Sequence, residues 1–204
     1  MRKHRLSAEK ETGMSKRFLG GEFLDSEPTR SWYEQDGVIY FSVTSDGTTG
    51  EEWITRLESK GFRLHDYPKR LIRSFYHVPT KATVIEVAVL KGMLFRRTLF
   101  KNELVTRRIH AKVKARLVGC SRNLCKPSID LACLIREKFT DEEIVAMKLS
   151  SIVVMSEPIS ITSFGASLSL LAVDTLDSGR RISVCSGAPS AKWEPDQGFA
   201  FAIS

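Results

Sequence analysis

Basic side chains recur at every fourth position between residues 108 and 116. Arg108, Lys112 and Arg116 would form one row on a helix, because residues four apart lie on the same helical face. Arg107 and Lys114 lie beside that row. Cationic groups arranged in this way can neutralise several phosphates of a nucleic-acid backbone, which gives affinity without base specificity. We therefore expect these five side chains to contact phosphates.

The row belongs to a strongly basic segment, residues 91–126, which we call the basic stretch. It contains eleven Lys and Arg against the single acid Glu103, whereas the remaining 20 bases of the chain face 23 acids. The eleven are Lys91, Arg96, Arg97, Lys101, Arg107, Arg108, Lys112, Lys114, Arg116, Arg122 and Lys126. The net charge of +7 therefore results from one part of the chain. Clustered charge creates a field that attracts polyanions or acidic protein surfaces.

The secondary structure of the basic stretch is ambiguous at residues 109–117. Apolar and basic residues alternate there as in a strand, but Ile109, Val113 and Leu117 also recur every four positions as in a helix. Helix is favoured for 106–118, because Ala, Lys and Arg prefer it. The aromatic residues of the stretch are only Phe95 and Phe100, which favours contact with the backbone over contact with bases.

Three classes of function remain open for the chain. The first is a non-enzymatic protein that binds nucleic acid through the basic stretch. The second is a protein-interaction module that docks on an acidic protein or on a second copy of the chain. The third is an enzyme with a site near residues 45–50 and 193–201, where Asp46, Trp193 and Asp196 would be the residues to test. The basic charges could also simply pair with residues 127–204, which hold six bases and ten acids.

The loop at residues 45–50, SDGTTG, lies between a predicted strand and a predicted helix. Glycines expose backbone amides, and a helix N-terminus favours anions, so the loop could bind phosphate. It lacks the spacing of the known phosphate-binding loops, however, and Glu51 and Glu52 bring negative charge to the first turn. We expect a structural turn with a satisfied helix cap. A metal ion held by Asp46 and Thr48 is the weaker alternative.

Neither a catalytic residue nor a metal or other cofactor site is predicted. The cysteines Cys120, Cys125, Cys133 and Cys185 form no C-x-x-C pair and have no histidine at zinc-ligand spacing. A cysteine hydrolase that uses Cys185 or Cys133 with His77 is the remaining catalytic alternative.

The order of apolar and polar residues along the chain predicts the strands and helices that would position these residues. Strands are predicted at 38–44, 83–90, 151–155, 168–173, 181–185 and 199–203. Helices are predicted after the capping boxes Thr49/Glu52 and Thr140/Glu143, at 68–74 after Asp66, and from Ser128 to Lys138. This order predicts an α+β fold with N-terminal strand–helix units and a C-terminal, mainly antiparallel β-meander. Residues 1–36 are expected to form a loosely ordered extension from which Trp32 and Tyr33 dock, and 37–204 a single domain.

No apolar run approaches the roughly 18 residues that a membrane span needs, and residues 1–12 are charged throughout. The sequence therefore predicts a cytoplasmic protein that has no membrane partner.

Four segments carry a resemblance: SDGTTGEEWITRLESKGF (45–62), EVAVLKGMLF (86–95), CLIREKFTDEEI (133–144) and W-x-P-D-x-G-F-A-F (193–201). They are similar to segments of an uncharacterised family of bacterial proteins. In that family the segment before CLIREKF is helical in pattern, which supports a helix at 106–118. Residues 149–151 and 160–192 depart from the family pattern. The resemblance implies no activity, cofactor or site residue.

Overall fold

The computed structural model describes residues 30–74, 82–94, 123–160, 168–175, 181–188 and 191–204. Within these ranges, four α-helices accompany one ten-stranded mixed sheet, which is the predicted α+β class. The elements are β1 (Tyr33–Gln35), β2 (Val38–Ser45), α1 (Gly50–Ser59), β3 (Arg63–Leu64), α2 (Asp66–Arg73), β4 (Thr83–Lys91), a 3₁₀ turn (Gly92–Leu94), β5 (Leu124–Cys125), α3 (Leu131–Lys138), α4 (Asp141–Ala146), β6 (Ser151–Val154), β7 (Ile159–Ser160), β8 (Leu168–Asp174), β9 (Arg181–Ser186) and β10 (Gln197–Ile203).

The strand order in the sheet is β1-β2-β4-β10-β6-β8-β9-β3. β6, β8 and β9 pair antiparallel in succession, which confirms the predicted meander. β10 then returns to the middle of the sheet, where it pairs antiparallel with β4 and parallel with β6. β5 pairs with the end of β10, and β7 pairs with β8. Strands β10 and β6 therefore lie in the middle of the sheet.

The two faces of the sheet bury different clusters of apolar residues. On the first face, β2 alternates Ile39, Phe41 and Val43 toward the helices, whose buried side chains include Trp53 and Ile135. On the second face lies a separate cluster: Val38, Ala88, Leu90, Val153, Met155, Leu170, Ala172, Ala191, Trp193, Phe199 and Phe201. In the part of the chain that the structure describes, no α-helix contributes to this second cluster.

Both predicted capping boxes are confirmed. Thr49 and Glu52 start α1, where the Glu52 carboxylate accepts the backbone N–H of Thr49 at 2.8 Å. Thr140 and Glu143 make the same arrangement at the start of α4, also at 2.8 Å. Each box satisfies amides that a helix N-terminus otherwise leaves without an intrahelical partner.

Two predicted helix starts are wrong. α2 begins at Asp66 itself, with His65 in the capping position, so Asp66 is not the cap. α3 begins at Leu131 after Asp130 and not directly after Ser128. The backbone carbonyl of Ser128 accepts the N–H of Leu131 instead, because residues 128–130 form a turn that precedes the helix.

Residues 33–35 belong to the sheet, although they fall in the range assigned to a loose extension. The turn between β1 and β2 places Asp36 and Gly37 at positive φ, 54° and 77°, as a tight Asp-Gly hairpin requires. Trp32 docks on the first cluster as expected, whereas Tyr33 is 58% exposed. The compact unit spans Ser31–Ser204. Residues 1–29 lie outside the described ranges.

Candidate nucleic-acid interface

Both ends of the basic stretch are attached to the same strand. Lys91, the last residue of β4, pairs with Gly198 at the start of β10. Leu124, on β5, pairs with Ile203 at the end of β10. These two positions on β10 are about 17 Å apart, since a strand rises about 3.4 Å per residue. The stretch therefore leaves the sheet beside one end of β10 and returns beside the other.

Beside each attachment, a leucine of the stretch lies on the second face of the sheet. The side chains of Leu94 and Leu124 pack against the second cluster. Leu94 also covers the β1–β2 turn, because a Cβ added to Gly37 would lie 2.6 Å from Leu94 Cδ2. Leu94 and Leu124 thus lie on the face that has no described α-helix.

The first and last bases of the stretch have acidic partners from outside it. Lys91 is 2% exposed, and its Nζ lies 2.7 Å from the Glu34 carboxylate. Lys126, at the other end, forms an exposed ion pair with Glu157. Between these two pairs the sequence holds nine bases and one acid, Glu103. The positive charge is therefore concentrated in the part of the stretch between its two attachments.

The five predicted phosphate contacts, Arg107, Arg108, Lys112, Lys114 and Arg116, lie outside the described residues. The helix predicted for 106–118 lies there too. Both stay predictions. The structure describes the strands on either side of this segment, β4 and β5, and their pairing with β10.

The 45–50 loop is engaged by the chain's own side chains. Asp46 accepts hydrogen bonds from Thr48 and from Arg56 Nη1, the latter at 2.6 Å. These bonds, that of Thr48 first, lower the pKa of Asp46 to about 2. Arg56 also binds Glu137 through two nitrogens, at 2.7 and 2.6 Å. With Glu52 already capping α1, the loop has the satisfied structural form that the sequence indicated, and it presents carboxylates where a phosphate would have to bind.

Metal binding at this loop has no further support. Among the described residues, no group of three or more His, Cys, Asp and Glu is placed to hold a metal ion.

The residues of the enzyme alternative do not come together. Strand β4 separates them, because Ser45 pairs with Thr83 at one end of β4 while Gly198 pairs with Lys91 at the other. Those ends are about 27 Å apart along the strand. Asp46 follows Ser45, whereas Trp193 and Asp196 precede Gly198. The prediction of a single enzymatic site that uses all three residues is therefore wrong.

The cysteine alternative requires a reactive thiol. Cys133 is fully buried, and desolvation raises the pKa of its thiol far above neutrality. Desolvation, with a smaller effect of Asp174, raises the pKa of Cys185 to about 12, and its Sγ donates to the carbonyl of Leu170. Both thiols stay protonated at neutral pH and are poor nucleophiles. His77, the predicted base, lies outside the described residues.

A pair of stacked tyrosines lies on the second face and is not among the residues that the sequence predicted to be functional. Tyr33 of β1 lies directly opposite Tyr40 of β2, with ring centroids 5.1 Å apart and planes inclined by 21°. The signal that would have found it is the dipeptide Asp36-Gly37, a strong hairpin marker between two β-rich runs. A two-residue turn at that position sets the register that opposes the two rings.

None of the helices in the described ranges is long and apolar enough to cross a membrane. The resemblance to a bacterial family stays a prediction. Comparison of the chain with protein-family models, with curated proteins and with solved structures finds no match.

Proposed function

We propose that this protein is a non-enzymatic, cytoplasmic nucleic-acid-binding protein that contacts the phosphate backbone through its basic stretch. The observation that carries the proposal is the attachment of both ends of the stretch to one strand, β10. A cluster of nine bases and one acid is thereby connected at both ends to a folded frame.

Three acids of the C-terminal half have partners outside the basic stretch, whereas Glu157 pairs with Lys126 within it. Glu137 binds Arg56 and Lys60, Asp141 binds Arg136 at 2.7 Å, and Asp174 lies 3.4 Å from Arg181. None of these bases belongs to the stretch. Three of the ten acids in residues 127–204 therefore already have basic partners outside the stretch.

Binding of this kind derives its free energy from the release of counterions. Each phosphate neutralised on duplex DNA contributes about −0.9 to the slope of log affinity against log salt, and about −0.7 on a single strand. If the five predicted residues all contact phosphates, the slope should be about −4.5 on a duplex and about −3.5 on a single strand.

The test is a titration of the purified protein with fluorescent mixed-sequence DNA and RNA, single- and double-stranded, at about 50 and 200 mM salt. We expect a loss of affinity of at least a hundredfold over that range. Polyglutamate of similar charge serves as the control, since it has the charge of an acidic protein surface but no phosphates.

Two results would contradict the proposal. One is the absence of binding to any nucleic acid at the lower salt concentration. The other is equal binding of polyglutamate and nucleic acid, which would favour a module that docks on acidic proteins.

A further inference from the structure

We draw no further inference here: the strongest candidate, the second face of the sheet with its cluster of apolar side chains, carries no proposal, because no α-helix of the described residues contributes to it and nothing in those residues shows which partner or segment would cover it.

Discussion

Replacing Glu34 by Ala should destabilise the protein by about 2 kcal/mol, because it removes the counter-ion of a buried ammonium group. Lys91 is 2% exposed and its Nζ lies 2.7 Å from Glu34. Removing one partner of a fully buried pair costs about 3–5 kcal/mol, and an exposed pair contributes about 0–1 kcal/mol. The side chain of Glu34 is 37% exposed, so solvent screens its half of the pair and an intermediate value follows.

Urea denaturation monitored by circular dichroism measures this loss. A decrease of about 2 kcal/mol corresponds to a fall in Tm of roughly 4–8 °C in a chain of this size. Glu157→Ala is the matched control, because its pair with Lys126 has the same chemistry but is exposed at 76% and 56%. That variant should lose no more than about 0.5 kcal/mol. Lys91→Met in the Glu34→Ala background should restore stability, since no unpaired charge then stays buried.

The explanation would be refuted by equal losses in Glu34→Ala and Glu157→Ala. It would also be refuted if Lys91→Met recovered nothing in the Glu34→Ala background. Either result would mean that burial of Lys91 does not depend on its ion pair.

Three further predictions concern the frame of the fold. Asp46→Asn should lower the free energy of unfolding at pH 7 by no more than about 1 kcal/mol, since Asp46 is partly exposed and its pair is screened. Because folding lowers the pKa of Asp46 from 3.8 to about 2, the difference from wild type should be constant above pH 4–5 and disappear as the pH falls through 2 in acid titrations of stability. Thr140→Ala removes the cap of α4 and should cost about 1 kcal/mol by urea denaturation, and a cost near zero would show that the capping box is dispensable. Gly50→Ala would place a Cβ 2.2 Å from the backbone carbonyl oxygen of Ile72, so we expect a loss of about 2 kcal/mol or more in thermal melts, and an unchanged Tm would contradict the close approach of α1 and α2.

The sequence predicts those features that depend on neighbouring residues. A capping box such as Thr49 with Glu52 involves residues only three positions apart, so the sequence alone shows both of its members. Strand β2 alternates apolar residues toward the first face, a pattern that is also local. The sequence does not distinguish the capping position from the first helical turn for Asp66, because an aspartate suits both. In the first turn its negative charge interacts favourably with the helix dipole.

Strand neighbours could not be predicted in the same way. Phe199 of β10 pairs with Leu90 of β4, more than a hundred positions earlier, and nothing in either segment identifies the other. For the same reason the sequence could not show that the basic stretch starts and ends on β10, or that Asp46 and Asp196 lie at opposite ends of β4. The Tyr33–Tyr40 pair is different, because the Asp-Gly turn that creates it was visible in the sequence.

The most direct test of the central claim is the salt dependence of nucleic-acid binding after charge reversal in the basic stretch. Lys112→Glu with Arg116→Glu removes two predicted phosphate contacts, so the slope of log affinity against log salt on duplex DNA should become less negative by about 1.8. Lys148→Glu with Lys192→Glu changes two exposed bases outside the stretch and gives the same net charge, and it should leave the slope unchanged. If both double variants weaken binding equally, net charge alone determines affinity and the basic stretch is not the interface.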